Sequence, residues 1–546
     1  MPRRRPRAIL LYRAMTVPRA AVIGAALLLA ACGAQTPSPT ADADSSPEAP
    51  NLPNTPRPTR SAALQPTPEA PSAFAGAWVE ITESAIGPTA DWTNKVELAD
   101  LNGDGHVDIL FANGGDYESP GEPVSSQAWL NAGTAAFTDA TAEILGDYAL
   151  ITRVIKVGDL NADGFPDILM GTTYQSQSQL RLSDGQGGWT DATASNLPQV
   201  ELSVGDLELG DIDGDGDLDV VLADWGDASP MQGAGLVQLW LNDGNAVFTD
   251  ATAEQMPDTL VGFSWDLELV DVDNDWDLDV AVSCKTCSSS LLYLNDGAGT
   301  FTDVSADRMP AFTNNYEFAP IDLDGDGFLD LVTINDGTPG PNGLREHVFR
   351  NDGDGSFQDV TEDWWPDESN AGWDDNVVVA LDVDSDGDVD FLVGSLDGPD
   401  RLLLNDGSGR LTLVTDSFDA PPSGGTLGMA VADLNGDGRP DVVEAQGEVP
   451  GHQNERVYLG TDVLSPDTAP PIIRMEVVGA VAVARVHDNR TANMPHDWQS
   501  VTVRWDGGET PMIWYGENLF RASLPDGVTA AQVCATDVAG NDACSG

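Results

Sequence analysis

Short apolar runs punctuate the chain at nearly regular intervals, and each begins directly after an aspartate that closes a polar loop. In Asp211-Ile-Asp-Gly-Asp-Gly-Asp-Leu-Asp219 the run that follows is Val220-Val221-Leu222. The polar pattern D-x-[D/N]-x-D-G-x-x-D recurs seven times, starting at Asp100, Asp159, Asp211, Asp271, Asp322, Asp382 and Asp433; the fourth copy has Trp276 in place of glycine. A short apolar run bounded by turn residues reads as a buried strand. A second marker follows: Trp129-Leu-Asn131, Leu239-Trp-Leu-Asn-Asp-Gly244 with Phe248-Thr-Asp-Ala-Thr252, Tyr293-Leu-Asn-Asp-Gly297 with Phe301-Thr-Asp303, and Phe349-Arg-Asn-Asp-Gly353 with Phe357-Gln-Asp-Val-Thr361. Asn-Asp-Gly between two such segments predicts a hairpin. Each unit then holds four strands: one entering the polar loop, the apolar one leaving it, and the hairpin. Four-stranded units in a single array predict an all-β fold, a β-propeller.

The ends of the array predict how it closes. The seventh unit offers Arg456-Val-Tyr-Leu459 with no Phe-Thr-Asp strand after it, while Trp78-Val-Glu-Ile-Thr82 sits unpaired before the first loop. The N-terminal strand should complete the last blade of seven and remove the open edges of a linear stack. Successive loops lie 59, 52, 60, 51, 60 and 51 residues apart. The extra length falls after the second strand, at 112–127, 223–237, 333–346 and 444–455, so odd blades carry long connections.

The polar loops carry the chemistry. Side chains at the first, third, fifth and ninth positions can converge on one point if the chain wraps around it, and oxygen donors at that density suit Ca2+. The candidate ligands are Asp100, Asn102, Asp104 and Asp108; Asp159, Asn161, Asp163 and Asp167; Asp211, Asp213, Asp215 and Asp219; Asp271, Asp273, Asp275 and Asp279. The remaining loops supply Asp322, Asp324, Asp326 and Asp330; Asp382, Asp384, Asp386 and Asp390; Asp433, Asn435, Asp437 and Asp441. The seventh residue varies freely (His106, Phe165, Asp217, Phe328, Arg439), as a ligand acting through its carbonyl permits. The sixth-position glycine supplies a positive-φ turn, which Trp276 puts in doubt, so up to seven Ca2+ are expected with the Asp271–Asp279 site questionable. The plain alternative is a solvated Asp/Gly turn, but carboxylates this close repel by about 1 kcal/mol per pair even at water's dielectric. An EF-hand would need a glutamate at the twelfth position, where Phe111, Met170 and Val221 stand here.

These loops, recurring in phase between strands, resemble the FG-GAP/VCBS repeats of integrin α-subunit propellers and of bacterial surface proteins. The resemblance covers residues 76–463 and implies a seven-bladed propeller whose long connections share one face with the segments entering the inner strands, opposite the calcium loops. That face collects Asp91 and Trp92, Trp265 and Asp266, Tyr316 and Glu317, and Trp364, Trp365, Trp373 and Asp374. Trp92, Trp265, Tyr316 and Trp373 are candidates for a ligand face, since exposed Trp and Tyr suit sugar rings or protein hot spots. Packing between blades is the alternative for each of them.

Outside the repeats, residues 1–32 read as an export signal: arginines at 3, 4, 5, 7, 13 and 19, then the apolar run Ala20 to Ala31. The run is too short for the roughly 20 residues that span a bilayer. Leu29-Ala30-Ala31-Cys32 resembles a bacterial lipobox, which implies lipidation at Cys32, with an ordinary signal peptide as the alternative; Met15 is a second candidate start. Gly33 stands where an inner-membrane retention aspartate would be, which points to the outer membrane or cell surface. Residues 33–75 are Pro-rich, with ten prolines between 34 and 75, and read as an extended stalk. Residues 466–546 alternate as strands of a small β-sandwich, and Val533-Cys-Ala-Thr-Asp-Val-Ala-Gly-Asn541 resembles the final strand region of bacterial immunoglobulin-like domains. Outside the cytoplasm the cysteines should pair, Cys284 with Cys287 and Cys534 with Cys544.

With 25 basic and 89 acidic residues the net charge is −64. Such a chain repels nucleic acid and anionic headgroups, leaving the lipid anchor as its membrane contact. No G-x-S-x-G, H-E-x-x-H or phosphate loop occurs. The leading expectation is a calcium-stabilised surface protein that binds or adheres to a protein or glycan. A polysaccharide lyase or hydrolase, with Arg153 and Lys156 as the cations to inspect, and a structural envelope protein are the alternatives.

Overall fold

The computed structural model describes residues 73–545 apart from 116–119, 227–232, 288, 313, 336–344, 371–372, 397, 448–452 and 489–497. The expected signal, Cys32 and nearly all of the stalk lie outside the described residues, as do the tips of the long connections.

Seven four-stranded antiparallel sheets follow one another along the repeats, and two more form the C-terminal region. Blade 1 is typical, with strands Thr93–Ala99, Asp108–Asn113, Gln127–Asn131 and Phe137–Asp139 in that spatial order. The innermost strand begins with a register shift in six of the seven blades, for instance between Thr93 and Lys95 and between Val204 and Asp206. A bulge re-aims the side chain that follows it.

The last sheet is completed by the N-terminal strand. Trp78–Glu80 pairs antiparallel with Arg456–Gly460, beside Asp441–Gln446 and Thr426–Ala432. The buried Trp78 indole fixes it, donating Nε1–H to the Pro440 carbonyl at 2.9 Å and stacking on Phe418. Blade 1 meets blade 7 directly, with the Asn131 amide donating to the Leu434 carbonyl at 2.8 Å.

That asparagine has a repeated role. Asn242, Asn295, Asn351 and Asn405 donate in the same way to Leu160, Ile212, Val272 and Leu323, each at the second position of the preceding blade's polar loop. The Asn of the hairpin turn therefore ties neighbouring blades together. The threonine of Phe-Thr-Asp-Ala-Thr also has a local cause. Thr252 Oγ1 accepts the Leu239 N–H while its own N–H bonds Asp250, and it opens the four-residue helix Thr252–Gln255. Thr141, Thr193, Ser305 and Thr361 repeat the arrangement.

The C-terminal sheets face each other across a core that includes Ala484, Val486, Val503, Phe520 and Val533. Cys534 lies directly opposite Cys544 on adjacent strands and is bonded to it; Cys284 and Cys287 are bonded as well. The sandwich sits on the polar-loop face, where the Asp211 N–H donates to the Tyr515 carbonyl at 2.8 Å.

Candidate metal loops and ligand face

In loops 1, 2, 3, 6 and 7 backbone N–H groups wrap the first carboxylate. In loop 1, Gly103 and Asp104 donate to Asp100 Oδ1 and Gly105 donates to Oδ2 at 2.8 Å. The third and fifth side chains accept the N–H two residues on: Asn102 from Asp104, and Asp104 from His106. These bonds require two left-handed residues. The sixth position has positive φ throughout, and so does the fourth, occupied by Gly103, Ala162, Gly214, Asn274, Gly325, Ser385 and Gly436. The doubt about Trp276 is corrected: it takes φ +73, so the turn forms without glycine. Contacts from the sandwich hold it there, with Tyr515 O–H donating to the Trp276 carbonyl at 3.0 Å and the Trp276 indole donating to Glu476 at 3.2 Å.

The ninth aspartate is the buried root of each loop. Asp219 accepts the Ile212 N–H on one oxygen and the Asn242 N–H on the other, at 3.0 and 2.8 Å. Equivalent pairs of bonds hold Asp108, Asp167, Asp330, Asp390 and Asp441. Burial pushes the carboxyls of Asp108, Asp167 and Asp219 up to about 7 and those of Asp330, Asp390 and Asp441 to about 8; the other loop acids push the same way and the backbone donors oppose.

Carboxylate oxygens converge within 4.8 Å in four loops: Asp211, Asp213 and Asp215; Asp271, Asp273 and Asp279; Asp322, Asp324 and Asp330; Asp382, Asp384 and Asp390. Loops 1, 2 and 7 have asparagine at the third position. Buried oxygens of Asp271, Asp273 and Asp322 have no hydrogen-bond partner. Crowded carboxylates with spare lone pairs fit a hard divalent cation. A fifth group, which the sequence did not reveal because its members are far apart in the chain, gathers Asp467, Asp488 and Asp537 where the linker meets the sandwich.

The raised carboxyl pKa values carry a sign. Without metal the folded loops keep protons that the unfolded chain, near 3.8, has released, so stability falls as pH rises through the window between the two values. The melting temperature of the calcium-free chain should fall from about pH 5 to about pH 8, and saturating calcium, which holds the carboxylates ionised, should flatten that slope. Calorimetry at both pH values checks this; parallel slopes in both conditions would count against it.

The inner strands line a cavity of about 370 Å3 on the propeller axis. Charges on and beside the inner strands gather around it: Lys95 Nζ pairs with Asp206 at 2.5 Å and Asp266 at 3.2 Å, and Lys156 Nζ pairs with Glu208 at 2.5 Å. Burial pushes the Glu208 and Asp266 carboxyls up to about 7, with the lysines pulling them back. Trp514 and Asn518 of the sandwich line the same cavity, toward the polar-loop face.

An aromatic cluster crosses the opposite end. Trp225, Phe263, Trp265 and Tyr316 pack together with Leu427, bringing connections of blades 3 and 4 against inner strands of blades 5 and 7. Trp265 and Tyr316 are 2% and 1% exposed, so their expected place on a ligand face is corrected: where inner strands converge, large rings fill the axis. Arg153 is buried with them, its guanidinium over the Trp265 ring and bonded to Asn94. Arg153 and Lys156 therefore do not form one cationic site. Trp92 and Trp373 are half-buried, Trp92 packing against the edge of this cluster and bonding Asn94, and Trp373 lying under Arg401.

FG-GAP-like repeats match residues 100–170, 159–222, 211–282, 271–333 and 382–444, more than half of the chain and all seven polar loops. The chain belongs to the FG-GAP-like repeat family. Among solved structures, this FG-GAP repeat propeller is similar to an Agrocybe aegerita lectin described as recognising non-reducing terminal N-acetylglucosamine, at 18% identity over 71% of this chain and 90% of that one, with a TM-score of 0.39. It is also similar to the V. cholerae biofilm matrix protein Bap1, at 14% identity over 85% and 74% of the two chains, with a TM-score of 0.33. BBS1N in complex with ARL6DN gives 9% identity over 71% and 98%, with a TM-score of 0.42. No curated protein matches the chain.

Proposed function

We propose that this FG-GAP repeat protein is a calcium-stabilised binding or adhesion protein of the bacterial cell envelope, anchored by a lipid on Cys32 and presented by the Pro-rich stalk. Its ligand is a protein or glycan, engaged by the face that carries the long connections. The observation that carries this reading is the way the axis is filled. An aromatic cluster packs at one end, sandwich residues line the cavity at the other, and the lysines between them are paired with acids. Recognition is thereby left to the rim, where long connections on a rigid scaffold are suited to it. We read the sandwich, on its last strand region, as immunoglobulin-like. Arg153 is held against the Trp265 ring and Asn94, apart from Lys156, so the two cations named for the lyase or hydrolase reading do not act together.

The test is binding of residues 73–546 to a glycan array and to envelope extracts, in calcium and in chelator. A ligand retained only in calcium, and weakened by Trp92→Ala or Trp373→Ala, is the expected result. A ring acting as a binding anchor contributes about 2 kcal/mol or more, roughly a 30-fold change in affinity. Retention unchanged by chelation and by both substitutions would argue against this face.

A further inference from the structure

Sandwich arginines reach the first carboxylates of two polar loops, Arg521 at Asp211 of loop 3 and Arg485 at Asp271 of loop 4; in loop 3 Gly216 keeps its own bond to Asp211, whereas in loop 4 the guanidinium stands in place of the glycine N–H. In loops 1, 2, 3, 6 and 7 the sixth-position glycine donates its N–H to the second oxygen of the first aspartate. Loop 4 has Trp276 at that position, and Asp271 Oδ2 instead receives Nη2 of Arg485 from the sandwich, at 3.2 Å. The same nitrogen donates to the Asp271 carbonyl at 3.0 Å, and Nη1 donates to Asn274 Oδ1 at 3.1 Å. Arg485 and Asp271 are only 3% and 1% exposed.

Arg485 reaches the loop because of strand alternation. In Val481–His487, Ala482, Ala484 and Val486 point into the sandwich core, which turns Arg485 to the opposite face, toward the propeller. Tyr515 bonds the Trp276 carbonyl and Glu476 accepts from the Trp276 indole, so the residue that breaks the repeat is itself a docking contact. A forked, permanently charged guanidinium suits a buried carboxylate lined by carbonyls.

We infer that loop 4 takes no calcium: the Arg485 guanidinium is its resident cation, and the loop is the socket that seats the sandwich on the propeller. This rests on the calcium reading of the glycine-containing loops.

Calcium bound per full-length chain, measured by equilibrium dialysis, tests it with three variants. Asp273→Asn removes a third-position ligand from loop 4 and should bind as much calcium as the unaltered chain. Asp384→Asn removes the equivalent ligand from loop 6 and should lose one ion. Arg485→Gln frees the loop 4 carboxylates and should gain one. Loss of an ion in Asp273→Asn, or no gain in Arg485→Gln, would overturn the inference. Loss in both aspartate variants would leave the calcium reading of the other loops intact. A chain that binds no calcium in any form would overturn both.

Discussion

Removing calcium from the full chain should lower its melting temperature by about 10–20 °C. Extracellular calcium modules bind with Kd of about 10⁻⁴ to 10⁻³ M, so at about 10 mM calcium each occupied loop contributes roughly 1.4–2.7 kcal/mol. Six independent loops together contribute roughly 8–16 kcal/mol. A propeller of about 390 residues has an unfolding entropy of roughly 0.8 kcal/mol per degree, which sets the size of the shift. Calorimetry with and without chelator measures it. Isolated residues 466–546, run alongside, should shift little, and equal shifts in both would undo the assignment of calcium to the propeller.

Asp219→Ala should be among the most damaging single substitutions in the repeats, costing about 3 kcal/mol or more. Asp219 is 1% exposed, and its loss leaves the Ile212 and Asn242 N–H groups without acceptors. Each buried donor left unsatisfied costs about 1–3 kcal/mol. Asn242 also ties blade 3 to Leu160 of blade 2, so the damage spreads across a blade interface. Asp215→Ala, at an exposed ligand position, should cost far less in the absence of calcium and should mainly reduce the gain that calcium brings. Urea unfolding of the two variants with and without calcium separates the effects; equal losses without calcium would contradict the structural role of the ninth position.

The blade plan was legible because it is written locally. Loop, apolar run and hairpin turn recur in phase, and the unpaired Trp78–Thr82 segment announced the strand that pairs with Arg456–Gly460. What escaped depends on partners distant in the chain. The turn asparagines were readable as hairpin residues, but their amides reach the carbonyls of the preceding blade, about 80 residues earlier or, for Asn131, in blade 7. The left-handed fourth position was hidden because glycine shares it with Ala162, Asn274 and Ser385.

The ligand face shows the limit of composition most clearly. Trp92, Trp265, Tyr316 and Trp373 all occupy segments entering inner strands, yet Trp265 and Tyr316 are buried in the axial cluster while Trp92, packed against its edge, and Trp373 stay half-buried. How deeply each ring enters that cluster, which sequence does not encode in any single residue, decides between them. Trp276 misled in a related way. A tryptophan at a glycine position signalled a broken turn, but Tyr515, Glu476 and Arg485 come from a domain some 200 residues away and hold that turn in place.

The number of calcium ions held by the intact chain tests the central claim most directly. Native mass spectrometry of the full chain, equilibrated with millimolar calcium, should find six ions, one for each polar loop with glycine at its sixth position. A chain that remains metal-free under those conditions would contradict a calcium-built propeller.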